Sequence, residues 1–172
     1  MKQEFAVIYE SPIGPLEITG TSAGISAVSY RLSDRYEEAG ALPDTLQLCV
    51  KQLDEYFKGE RVIFTVPILL QGSEFQNKVW TCLQQIEYGT VRTYRELAIM
   101  AGNHKAVRAV GNANGKNLLN ILIPCHRVIG SNGELTGYGG GLWRKEWLLR
   151  HEQRVMDIAK KSEAHGIKKP QA

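Results

Sequence analysis

Cys125 and His126 stand side by side at the end of an apolar run, "ILIPCHRVIG", residues 121–130. A structural cysteine sits in inert apolar surroundings, whereas a reactive one needs positive charge or a base nearby to become a thiolate. Pro124 before the thiol, and His126 and Arg127 after it, point to the reactive kind. His126 is the base closest in sequence. Adjacent side chains usually diverge, so a relay through one water suits general-base work as well as direct contact. A base of this kind is normally oriented by a third group, and Glu152, at the end of the last helical stretch, is a candidate. A Cys–His pair alone also fits proteases and acyltransferases.

The other cysteines, Cys49 and Cys82, are far from Cys125 and from each other, with no CxxC or CxxH pair. That argues against a local zinc site and against a disulfide framework. Both fall on helical apolar stripes and read as small core hydrophobes. With 172 residues and 43% hydrophobic content the chain can build one core or two small domains. No apolar run is long enough to cross a membrane, and "MKQEFAVIYE" lacks the layout of a secretory signal. The expectation is a cytoplasmic protein with no membrane partner.

Charge is unevenly spread. Residues 1–90 hold 7 Lys/Arg against 12 Asp/Glu, a balance of −5; residues 91–172 hold 14 against 6, a balance of +8. Such asymmetry suggests that the second half meets a polyanion, although a solvated basic face would look the same.

The elements that must position the thiol divide near residue 70. "EFAVIYE", "LEITGT" and "ISAVSYRL" alternate as strands, with turn residues between them. "PDTLQLCVKQLDEYFKG" spaces Leu46, Cys49, Val50, Leu53, Tyr56 and Phe57 as a helix, with Pro43 near its start and Gly59 past its end. "RVIFTVPI" reads as a further strand. "SEFQNKVWTCLQQI" opens a helix at Ser73 with Phe75, Val79, Cys82, Leu83 and Ile86 on one face. Thr93 and Glu96 form a capping box before "YRELAIMA", and "HKAVRAVGNAN" resumes helical character after a short turn. Two short helices joined by a Gly-containing turn suit a helix-turn-helix, with His104, Lys105 and Arg108 on its second helix; an ordinary helical hairpin is the commoner explanation. "GYGGG", residues 137–141, matches no phosphate-binding pattern, and "WRKEWLLRHE" forms a final amphipathic helix. The expected domains are 1–70 and 71–154, followed by a frayed polar tail over 155–172.

"PCHRV", "RAVGNA" at 108–113, Asn117 and "GYGGG…K" with "WLLRHE" resemble the O6-alkylguanine-DNA alkyltransferases, the methylated-DNA–protein-cysteine methyltransferases. The resemblance covers essentially all of 73–152 and, through "SPIGPLEI" and the strand-then-helix order, part of 1–70. It implies an α/β first domain with a ribonuclease H-like sheet and a mainly α second domain with a winged helix-turn-helix. It also implies irreversible transfer of an alkyl group from guanine O6 to the protein's own cysteine after base flipping, one event per molecule, with no cofactor.

By that resemblance Cys125 is the nucleophile, His126 the base acting through water and Glu152 its orienting carboxylate. Tyr94 donates to the departing guanine. The DNA-contacting set is Arg108, which fills the gap left by the flipped base, with Ala109, the hinge Asn117, Thr93 and Arg95. Val128, Tyr138, Gly139 and Gly140 line the base pocket. The partner implied is double-stranded DNA carrying O6-alkylguanine, held through the minor groove with weak sequence preference by a monomer. Two departures stand out: Leu118 follows Asn117 where many members have proline, and Gly139 stands where some members offer a serine hydroxyl. The first segment has a single cysteine and no histidine, so no zinc is expected. A lesion sensor that binds alkylated DNA without accepting the alkyl group, and a Cys–His hydrolase, are the alternatives.

Overall fold

Alternating apolar residues near the N-terminus form a three-stranded antiparallel sheet in the computed structural model, which describes residues 3–33 and 40–166. The strands are β1 (Phe5–Ser11), β2 (Gly14–Thr21) and β3 (Gly24–Ser29), in the order β1-β2-β3. Ser11 pairs with Gly14 at the first hairpin, and a register shift falls between Thr19 and Gly20. A side chain at Gly20 would run into the Gly24 carbonyl, so glycine is required there. Helix α1 (Asp44–Phe57) is preceded by Pro43 and ends before Gly59, whose φ of 76° only glycine adopts readily. Its buried stripe of Leu46, Cys49, Leu53, Tyr56 and Phe57 lies on the sheet, where Leu16, Ile18, Ile25 and Val28 are also buried. Burial pushes the Cys49 thiol up to about 12, as expected of an inert core cysteine.

"RVIFTVPI" is not a strand. Residues 61–68 run as irregular backbone with only isolated bridges, one of them Ile25 to Ile68. Buried Gln52 takes the ladder's place, accepting from the Thr65 and Val66 amides through Oε1 and donating from Nε2 to Thr65 Oγ1. Among the described residues the chain divides into two units: one runs to Gln71 and includes Leu118–Leu122, the other comprises Gly72–Asn117 and residues 123–166. Leu118–Leu122 joins the first unit through Val28, whose amide donates to Leu118 O at 2.9 Å and whose carbonyl accepts from Asn120 Nδ2 at 2.8 Å. Within it Ile121 holds φ at 71°, a costly conformation for a β-branched residue, and its side chain is 1% exposed.

The second unit is mainly helical. It holds α2 (Glu74–Leu83), β4 (Arg92–Thr93), α3 (Tyr94–Met100), α4 (Val107–Gly115), a single 3-10 turn (Cys125–Arg127), β5 (Val128–Ile129) and α5 (Leu142–Ala164). Ser73 and Gln76 cap α2 reciprocally, as Thr93 and Glu96 cap α3. Phe75 is exposed rather than on the α2 core face; Trp80 is buried there instead, its Nε1 donating to Ala113 O of α4 at 2.8 Å. Helix α4 starts at Val107, so His104 and Lys105 lie in the turn and only Arg108 lies on the helix. Helix α5 does not fray after Arg154. Val155 is buried, Met156 packs against Gly89, and the helix continues to Ala164; residues 167–172 of the expected tail lie outside the described residues. Among the described residues no helix is long and apolar enough to cross a membrane.

Trp80 therefore ties α2 to α4. Trp80→Phe keeps most of the packing but removes this buried hydrogen bond, leaving the Ala113 carbonyl to the Lys116 amide at 3.2 Å, and should lower stability by about 0.5–1.5 kcal/mol in urea denaturation.

Candidate active site

The 3-10 turn places three consecutive buried side chains, and His126 and Arg127 both reach Glu152 of α5. His126 Nε2 lies 2.7 Å from Glu152 Oε1. Arg127 grips the same carboxylate with two prongs, Nε to Oε2 and Nη2 to Oε1, both at 2.9 Å, while Nη1 donates to Ile86 O at 2.7 Å. The Gly89 amide donates to Glu152 Oε2 at 3.2 Å. Burial alone would raise the Glu152 carboxyl, but His126 and Arg127 overcome it and hold the group well below the usual carboxylate range. An ionised carboxylate has only acceptors, so His126 Nε2 must carry a hydrogen. Burial pushes the imidazole below its ordinary value despite Glu152, which leaves it neutral. Its free lone pair is then on Nδ1, which is buried and has no hydrogen-bond partner.

Cys125 is 4% exposed. Burial raises its thiol above the ordinary value, while a side-chain hydrogen bond from Asn117 and the charge of Lys145 pull it down. Lys145 is fully buried on the second turn of α5, where its ammonium donates to Thr136 O at 2.8 Å. Desolvation lowers Lys145 to about 8, and the nearby thiolate opposes that shift. Tyr94 Oη donates to the same Thr136 carbonyl at 3.0 Å, and Lys145 Nζ lies 5.9 Å from the Tyr94 ring centroid. The short parallel pairing of Arg92 with Val128 and Thr93 with Ile129 sets the start of α3, and so Tyr94, beside the active turn.

Two asparagines, Asn114 on α4 and Asn117 just past its end, close the turn. Asn117 Nδ2 donates to Ile123 O at 3.0 Å, and Asn114 Nδ2 to Cys125 O at 3.4 Å. Val128 is fully buried just past the turn. Tyr138 and Gly139 lie in the glycine-rich loop before α5, and a side chain at Gly139 would meet nothing within 4 Å. Gly140 O accepts from Arg144 Nη1 at 2.8 Å, and Gly141, with φ of 91°, turns the chain into α5. Arg95, Arg108 and Ala109 are exposed on α3 and α4, while Thr93 is partly buried as the α3 cap. The structure thus brings Cys125, His126, Glu152, Tyr94 and Asn117 into one cluster and leaves Arg95, Arg108 and Ala109 on its helical surface. Arg127 counts in the sequence only as positive charge beside the thiol, not as a clamp on Glu152, and neither Lys145, though contained in "GYGGG…K", nor Asn114 stands out there.

A sheet-and-helix first unit and a mainly helical second unit, the latter holding a buried thiol next in sequence to an imidazole tied to a carboxylate, define a two-domain protein. The chain belongs to the 6-O-methylguanine DNA methyltransferase family. Residues 6–70 match that family's ribonuclease-like domain and residues 74–154 its DNA binding domain. The methylated-DNA–protein-cysteine methyltransferase of Methanosarcina acetivorans is 44% identical over 155 residues, covering 86% of this chain and 97% of the relative. Among solved structures, the Mycobacterium tuberculosis O6-methylguanine methyltransferase superposes with a TM-score of 0.79 at 41% identity, covering 89% of this chain and 94% of that one. The Mycobacterium tuberculosis OGT in complex with DNA gives 0.78 at 41% identity, covering 88% and 93%.

The junction makes stability depend on pH. The depressed His126 takes up a proton on unfolding below about pH 6.5, and the depressed Glu152 does so below about pH 4.5. Over both windows the unfolded chain binds more protons, so stability is fully present near pH 7 and falls as pH is lowered. Glu152→Gln should cost about 3–5 kcal/mol at pH 7, because it leaves the Arg127 guanidinium buried without its counter-charge. Chemical denaturation across pH 4–8 measures both effects.

Proposed function

We propose that this protein repairs double-stranded DNA by moving an alkyl group from guanine O6 onto Cys125, irreversibly and once per molecule. One observation carries the reading: in a member of this family, the imidazole beside the buried thiol gives Nε2 to Glu152 and keeps an unpartnered Nδ1 available as a base. Cys125 loses its proton to His126 through water, and the sulfur pair attacks the alkyl carbon. The S–C bond forms as the C–O6 bond breaks, and the departing guanine takes a proton from Tyr94. A thioether has no hydrolytic exit, so the protein is consumed. Lys145 supplies the buried positive charge that favours the thiolate, an effect strengthened where water is excluded.

The target base lies inside the duplex stack and has to be flipped out. In this reading Arg108 fills the gap, with Ala109, Thr93 and Arg95 against the backbone of the minor groove and Asn117 as the hinge. Val128, Tyr138, Gly139 and Gly140 receive the base. The small exposed residues of α4 favour close backbone approach over base reading, which gives weak sequence preference. The α3–α4 pair acts as the helix-turn-helix of a winged domain, the first unit as a ribonuclease H-like support, and the protein works as a cytoplasmic monomer. A lesion sensor would have no use for a thiol with its own base, which disfavours that alternative.

Intact and peptide mass spectrometry after mixing with an O6-methylguanine duplex should show a single added CH₂ on the Cys125 peptide, saturating at one equivalent. Cys125→Ser should abolish the gain and retain duplex binding. An unchanged wild-type mass with retained binding would make this a lesion-binding protein.

A further inference from the structure

We infer that Asn114 is a positioning residue of the proton relay: its carboxamide oxygen holds the second hydrogen of the water that carries the Cys125 proton to His126. The proposal concerns the site read above and rests on that reading for its substrate. Asn114 lies on the last turn of α4 and is 3% exposed, between the buried Val110 and Ala113 on one side and the active turn on the other. Its Nδ2 donates to the carbonyl of Cys125 itself. The opposite orientation of the amide would set two acceptor oxygens against each other, so Oδ1 faces away from that carbonyl. Oδ1 is buried and has no hydrogen-bond partner, and the same is true of His126 Nδ1 on the next residue of the turn.

Both atoms are acceptors, since Glu152 fixes the imidazole hydrogen on Nε2. One buried acceptor on the residue after the thiol and another on the side chain that grips the thiol's own carbonyl match the valence of a single water, which has two hydrogens to give and an oxygen to receive. The water accepts the Cys125 S–H, gives one hydrogen to His126 Nδ1 and rests the other on Asn114 Oδ1. On activation the thiol proton moves to the water oxygen and the water's own proton moves to Nδ1. The electron pair stays on sulfur, and the imidazolium faces Glu152. Throughout, the Asn114 hydrogen bond keeps the water from rotating out of line. A residue needed only for packing at this position would be apolar, because a buried amide with half its bonds unmade is costly.

The charged and titratable groups around the relay are Glu152 and Lys145 from α5, Arg127 on the turn itself, and Tyr88, whose ring lies 5.4 Å under the Arg127 guanidinium. None of them changes in the test variants. The rate of Cys125 alkylation by iodoacetamide, and of methyl transfer from an O6-methylguanine duplex, is measured against pH for wild type, Asn114→Leu and Asn114→Ser. Asn114→Leu should slow both reactions about tenfold at pH 7 and move the rising limb of each profile up by about one pH unit. Asn114→Ser, which restores an acceptor oxygen, should recover part of both. If the folded leucine variant keeps the wild-type profile, with rates either unchanged or uniformly lowered, Asn114 is only structural and the proposal fails. Should the leucine variant not fold, Asn114→Ala, which also lacks the acceptor, decides by the same shift. An Asn114-dependent iodoacetamide profile in a protein that takes no methyl group would sink the repair reading and leave the relay standing.

Discussion

The Glu152 carboxylate accepts four hydrogen bonds in a site with no exposure to water: one from His126, two from Arg127 and one from the Gly89 amide. Taking a carboxylate and a guanidinium out of water is expensive, and only close bidentate geometry with every lone pair used makes it tolerable. That requirement organises the second unit. The Arg127 fork needs the Ile86 carbonyl in the turn after α2. Gly89 must hold φ at 74° without a side chain, because Met156 of α5 occupies that space. The turn that carries Cys125 is therefore clamped to α5 through the two residues after the thiol.

The chemistry follows from the same clamp. A carboxylate held ionised dictates the imidazole tautomer, and the tautomer decides which ring nitrogen is a base. Cys125 meets opposing influences: burial favours the thiol, whereas Asn117 and Lys145 favour the thiolate. The result is a thiol raised by burial above its ordinary value, with an imidazole on the next residue and a buried cation nearby, which is what the proposed role of Cys125 as nucleophile draws on. Lys145 shares the Thr136 carbonyl with Tyr94, and so links the thiol's electrostatics to the phenol proposed as proton donor.

Local signals in the sequence were dependable where local physics decides the outcome. The capping box of Thr93 and Glu96, the Ser73 start and the Pro43–Gly59 punctuation all mark real helix ends. The thiol–imidazole pair was visible from adjacency, and the part of Glu152 from resemblance. What was not legible depends on contacts distant in the chain. "RVIFTVPI" has the composition of a strand, but Gln52 of α1 satisfies its backbone instead. Arg127 and Lys145 look like two more basic residues in a basic half, and only the fold shows both buried. Ile121 carries no sequence mark of its left-handed backbone. Phe75 fits the apolar stripe of α2 yet is exposed, because Trp80 fills the core face.

The reactivity proposed for Cys125 turns on the protonation of His126, and nitrogen NMR of the imidazole at pH 7 reads it directly. The expected spectrum is that of a neutral ring with its hydrogen on Nε2 and a bare Nδ1. A ring protonated on Nδ1, or doubly protonated at that pH, would leave Cys125 without its base and contradict the mechanism built on Glu152.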